Sequence, residues 1–110
     1  MEELVKGDVV AVSFPFSDKE GFKRRPALVV ANLEGENTIL GQITSKLKTD
    51  KNSTTIISKD FHKGDLKTAS TACLDQLHTI HKSRILYKIG CLKYAKIKEI
   101  EKAIVKIFTA

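Results

Sequence analysis

At 110 residues the chain has room for one compact domain with a hydrophobic core and is too short for two. With 42% hydrophobic and 29% charged residues, six glycines and two prolines, it is not a disordered or low-complexity chain. Nineteen Lys and Arg against thirteen Asp and Glu give a formal charge of +6, a field that favours a polyanionic partner: nucleic acid as the first candidate, an acidic protein segment or an anionic membrane surface, which charge alone does not rank.

The longest uninterrupted apolar run, Ala27 to Ala31, falls far short of a bilayer span. Met1, Glu2 and Glu3 lack the basic and then apolar character of a secretory signal, so a cytoplasmic location is expected. Asp8 to Phe14 is Val-rich and nearly continuous in hydrophobicity, as in a strand covered on both faces, and Pro15 is expected to end it. Phe16 to Arg25, polar and basic around Gly21, reads as a connection. Pro26 suits the first residue of a second strand through Ala31. Glu34 to Asn37 forms a turn, and Thr38 to Ile43 returns as the other arm of a hairpin, with Thr44 at its end.

Ser45 to Asn52 is a lysine-bearing loop or one helical turn, and Ser53 to Ser58 has the Thr and Ile content of a strand. Lys63, Gly64 and Asp65 mark a break, Thr71 to Leu77 a further strand, and Lys82 to Tyr87 a short helix before Gly90. Ile97, Ile100, Ile104 and Ile107 recur with helical period and predict an amphipathic helix from Tyr94 to Phe108. Five or six short strands and one terminal helix make a single α+β, mainly β domain: a strongly bent antiparallel sheet or barrel with the helix packed on it.

Lys23, Arg24 and Arg25 form a basic cluster immediately before a buried strand, and an arginine beside the rigid Pro26 is suited to grip a phosphate through paired donors. In a hairpin the start of one arm lies beside the end of the other, so Arg25 and Thr44 are expected to be neighbours, a hydroxyl beside a guanidinium. No acidic pair suggests a two-metal nuclease, and there is no glycine-rich phosphate loop. Cys73 and Cys91, the only cysteines, read as reduced structural thiols; with His78 and His81 they lack the spacing of a zinc site, so neither metal nor cofactor is expected. Phosphoryl chemistry without metal points to RNA, whose 2′-hydroxyl is an internal nucleophile.

Gly7, Asp8 and Val9, the FPF at 14 to 16, KRRPALVV at 23 to 30, ITSK at 43 to 46 and the block from Ser70 to Arg84 together resemble the MazF/PemK toxins over nearly the whole chain. The resemblance implies an SH3-like bent barrel, a homodimer, and metal-independent cleavage of single-stranded RNA to a 2′,3′-cyclic phosphate and a 5′-hydroxyl. It also implies inhibition by a cognate acidic antitoxin. Arg25 and Thr44 match the family's catalytic arginine and threonine. Lys23, Arg24, Ser45, Lys46, Gln76 and His78 are the candidates for substrate contact. Relatives commonly carry arginine and aspartate where His78 and His81 stand, so either histidine is a candidate for proton transfer. The rival expectations are a toxin of the same fold that binds a protein such as DNA gyrase, and a plain RNA-binding module.

Overall fold

The computed structural model describes residues 3–18 and 21–110, with side chains described outside 14–23. Among the described residues seven strands form one antiparallel sheet: β1 (Asp8–Asp18), β2 (Gly21–Asn32), β3 (Asn37–Thr44), β4 (Ser53–Ile56), β5 (Phe61–Gly64), β6 (Ser70–His81) and β7 (Ile85–Leu92), followed by helix α1 (Tyr94–Phe108). Their spatial order is β4-β6-β3-β2-β1-β7-β5. Register shifts interrupt the β1–β7, β2–β3 and β3–β6 ladders, and such bulges bend a sheet; here they curl it into a half-barrel.

Valine at both parities of β1 has a direct consequence, since alternate side chains point to opposite faces. Val10 and Val12 join Leu4, Ala27, Val29, Leu40, Ile80 and Ile85 in one buried cluster. Val9 joins Leu28, Ile43, Ile56, Ala72, Leu74 and Leu92 in a second, and α1 covers that one with Ile100, flanked by Ile97, Ile104 and Ile107. The helix thus sits on one face of the curled sheet, with the bounds that its isoleucine period predicts. Lys96 donates to Glu99 and, with burial opposing and Thr54 assisting, holds that carboxyl below its ordinary value of 4.5. Among the described residues no helix is long and apolar enough to cross a membrane.

Several elements depart from the sequence reading. β1 runs past Pro15 to Asp18, and β2 begins at Gly21, so the expected connection from Phe16 to Arg25 is largely strand; residues 19 and 20 lie outside those described. Proline is tolerated because the β1–β2 register is irregular between Phe14 and Asp18, where no ladder needs its missing donor. Pro26 is accordingly inside β2 rather than at its start, one residue before the β2–β3 ladder begins at Ala27. Residues 45–52 contain no helical turn. The break at Lys63 and Gly64 belongs to β5, and Lys82 to Tyr87 is one 3-10 turn (Lys82–Arg84) leading into β7.

Asp8 is 1% exposed, accepts the Val5 N–H at 2.8 Å and pairs with Lys88 at 3.1 Å. Removing one member of such a pair leaves the other charge and a backbone donor poorly compensated. Asp8→Ala is expected to cost about 2–3 kcal/mol of stability in urea unfolding, with Asp8→Asn, which keeps the acceptor for Val5, losing less.

Candidate active site

The hairpin of β2 and β3 sets the relation of Arg25 to Thr44 through one irregularity. Near its turn the strands pair Asn32 with Thr38 and Ala31 with Ile39; beyond Val30 they pair Val29 with Leu40, Leu28 with Gly41 and Ala27 with Gln42. Continued two residues, the second register brings Arg25 opposite Thr44; the first, uninterrupted, would have brought it opposite Ser45. A one-residue slip reverses which side chains share a face, so in that continuation the bulge at Val30 selects the threonine rather than the serine as the partner of Arg25. Opposed residues in antiparallel strands have Cα atoms roughly 4.5–5.5 Å apart and point to the same side.

The row extends across the sheet. Arg25 opposes Val12 of β1, Thr44 opposes Thr71 of β6, and Thr71 opposes Thr55 of β4. By alternation from Ala27 and Val29 it lies on the face away from α1, at the margin of the cluster that holds Val12. Arg25 and Thr44 are both half-buried, which leaves each an accessible donor in a partly desolvated setting. The Thr44 hydroxyl accepts the Lys46 N–H at 3.2 Å, so its own proton stays available to another acceptor. Thr71, fully buried, accepts the Lys48 N–H at 3.2 Å. Two threonines of one row therefore pin the segment that follows β3. Thr71 was not among the sequence candidates, since nothing local distinguishes it; its role comes from long-range pairing.

The remaining candidates divide. Ser45 and Lys46 follow Thr44 and are exposed. Gln76 is exposed at an irregularity of β6, which pairs Cys73 with Gln42 and Leu77 with Gly41; of the three residues between, Leu74 turns into the core and Asp75 and Gln76 face outward. His78 opposes Leu40, four residues along β3 from Thr44 and so roughly 13 Å away. His81 is at the far end of β6, its Nδ1 2.7 Å from Ser83 Oγ and its Nε2 3.2 Å from Glu36, which commits it to the turn region. Arg24, one residue from Arg25, takes the opposite face, its guanidinium 5.7 Å from the centre of the Tyr87 ring. The side chain of Lys23 lies outside the described residues. Cys73 is buried and Cys91 partly so, both free thiols, and among the described residues no three His, Cys, Asp or Glu side chains group as metal ligands.

A permanently charged planar donor beside a hydroxyl donor can bind two nonbridging oxygens of a phosphodiester, and neither group is a base at neutral pH. A family model described as the PemK-like, MazF-like toxin of type II toxin–antitoxin systems matches residues 5–108. No curated protein matches the chain in sequence. Among solved structures it is similar to an endoribonuclease in complex with its cognate antitoxin from a mycobacterial species, at 14% identity and a TM-score of 0.78 over 97% of this chain and 96% of that one. A Mycobacterium tuberculosis MazF toxin gives 17% and 0.75 over 93% and 96%. MazF from Deinococcus radiodurans gives 20% and 0.71 over 96% of each chain. The curled sheet with its C-terminal helix is the fold of these proteins.

Proposed function

The chain belongs to the PemK-like, MazF-like toxins of type II toxin–antitoxin systems, and we propose that it is an endoribonuclease that cuts single-stranded RNA with Arg25 and Thr44 at the scissile phosphate. The observation that supports this reading most is the β2–β3 register from Val29–Leu40 to Ala27–Gln42, which, continued two residues, sets Arg25 opposite Thr44, both half-buried.

In the proposed reaction the 2′-oxygen of the substrate attacks the adjacent phosphorus, a 2′-O–P bond forms, and the P–O5′ bond breaks. The products are a 2′,3′-cyclic phosphate and a 5′-hydroxyl, with the proton lost from the 2′-hydroxyl balanced by the one gained at O5′. Charge builds on the nonbridging oxygens in the pentavalent transition state, where the Arg25 guanidinium stabilises it and can donate toward the leaving oxygen. The Thr44 hydroxyl orients one nonbridging oxygen. The nucleophile comes from the RNA itself and the charge is met by the guanidinium, so the proposed route uses no metal. Ser45, Lys46 and Gln76, all exposed, are assigned to substrate contact.

The proposed partners follow from the charge of +6: single-stranded RNA as substrate, and an acidic antitoxin segment as inhibitor, as a similar endoribonuclease was solved with its cognate antitoxin. We assign a homodimer as the working unit and the cytoplasm, where messenger RNA is found, as its place of action. The test is incubation with a long single-stranded RNA in excess chelator, followed by end-group analysis. Chelator-resistant cutting that leaves a cyclic phosphate, and fails when the ribose at the cut carries no 2′-hydroxyl, is the expected result. A requirement for divalent metal, or cleavage of the deoxy-substituted position, overturns the mechanism; binding without cutting overturns the enzymatic assignment.

A further inference from the structure

Thr71 of β6 buries its hydroxyl in a side chain 0% exposed, where valine would fill the same space with no polar group to desolvate. Its neighbours in the row across the sheet are Thr44 of β3 on one side and Thr55 of β4 on the other. We infer that Thr71 is a positioning residue for RNA cleavage: by holding the Lys48 N–H it fixes the segment after β3 and, through that segment, the orientation of the Thr44 hydroxyl. This role rests on the ribonuclease reading proposed above and adds to it a residue that touches no substrate.

The chain of contacts is short. The Lys48 N–H donates to Thr71 Oγ1 at 3.2 Å, and two residues earlier the Lys46 N–H donates to Thr44 Oγ1 at 3.2 Å. Thr44 and Thr71 are opposed in the β3–β6 ladder, so their side chains share a face, with Cα atoms roughly 4.5–5.5 Å apart. Ser45, Lys46 and Leu47 are exposed, Leu47 by 60%, so burial does not anchor them. Beyond Lys48 the next bond from this segment to the sheet, among the described residues, runs from the Leu74 N–H to the Asn52 carbonyl at 2.9 Å. Without the Thr71 hydroxyl the free span therefore grows from residues 45–47 to residues 45–51. A longer free span samples more backbone conformations, most of which turn the Lys46 N–H away from Thr44.

A threonine hydroxyl moves among staggered positions about Cα–Cβ, and its proton turns about Cβ–Oγ1. The Lys46 N–H engages one lone pair of the Thr44 oxygen, which selects a side-chain position and leaves the proton free for a phosphate oxygen. A donor oriented in advance costs no reorganisation as charge develops. Loss of that orientation therefore lowers the rate of the chemical step more than the affinity for RNA. Arg25 is on β2, two strands from β6, and pairs with Val12 of β1, so the influence of Thr71 reaches the phosphate through Thr44.

The test compares the full chain with Thr71→Val, Thr71→Ser, Thr44→Val and the Thr44→Val/Thr71→Val double variant. Single-turnover cleavage of a single-stranded RNA is measured beside binding of the same RNA with a 2′-deoxyribose at the cut. Thr71→Val is expected to slow cleavage about three- to fivefold per folded molecule and to change the dissociation constant less than about twofold, while Thr71→Ser recovers most of the rate. The double variant is expected to be no slower than Thr44→Val, because residues acting as one unit do not add. Hydrogen exchange reads the tie in the unmodified chain: the Lys48 amide should be protected about tenfold or more, and should lose that protection in Thr71→Val but not in Thr71→Ser. Rate losses that multiply in the double variant overturn the proposal, as does a change confined to RNA affinity. An unprotected Lys48 amide in the unmodified chain overturns it whether or not Thr71→Val folds. Full-rate cleavage by Thr44→Val with a protected Lys48 amide overturns the reading of Thr44 itself, and the role of Thr71 with it.

Discussion

Arg25→Ala is expected to slow RNA cleavage by about 10²–10³-fold in single-turnover assays, the range for loss of one preorganised donor to a developing oxyanion. The substrate dissociation constant should change far less, since the lysines around the site still attract the backbone and the guanidinium is worth most when the phosphorane carries its extra charge. Arg25→Lys separates charge from geometry: an ammonium keeps the charge and loses the planar fork, so an intermediate rate, about tenfold down, is expected. Thr44→Val, nearly isosteric, removes one hydrogen bond to a charged oxygen and should cost about tenfold as well. A rate that survives Arg25→Ala unchanged would place the chemistry elsewhere on the protein.

Part of the Arg25–Thr44 relation is legible in the sequence and part is not. A hairpin could be read from the turn at Glu34 to Asn37 flanked by two apolar runs, and with it the approach of Arg25 to the end of β3. Hairpin pattern alone does not separate Thr44 from Ser45, because the register depends on one extra residue, Val30, absorbed in the β2–β3 ladder; the resemblance is what singles out Thr44. Bulges have no compositional mark when the inserted residue is as apolar as its neighbours. Helix α1 was legible to its ends because its pattern is local and its period long. β7 was not: its register against β1 slips twice, so Leu86 and Tyr87 are exposed and the alternation that announces a strand is lost. Thr71 stayed hidden for a related reason, since what it pins, the Lys48 N–H, is 23 residues away along the chain.

The other misread segment leads to the largest expected effect on stability. Lys63, Gly64 and Asp65 look like a turn, yet Gly64 pairs with Gly90 across the β5–β7 ladder. Its φ is +78°, and a Cβ there would stand 2.2 Å from the Ile89 carbonyl oxygen and 2.6 Å from the Gly90 Cα. Both obstacles are backbone, so a side chain cannot be accommodated by a rotamer change, and Gly90 is equally closed, its Cβ meeting the Lys63 carbonyl oxygen at 2.4 Å. Gly64→Ala is therefore expected to combine the left-handed penalty of about 1–2 kcal/mol with an overpacking cost of about 1–3 kcal/mol. That corresponds to a fall in Tm of about 10 °C or more for a domain of this size. Gly35 supplies the control: its φ is +85° but nothing lies within 4 Å of the added carbon, so Gly35→Ala should show the conformational cost alone. Because β5 is at the edge of the sheet farthest from β3 and β6, cleavage per folded molecule should be unchanged in Gly64→Ala, and activity should fall only with the folded fraction. Equal melting temperatures for the two variants would mean that the close approach of β5 to β7 contributes nothing to stability.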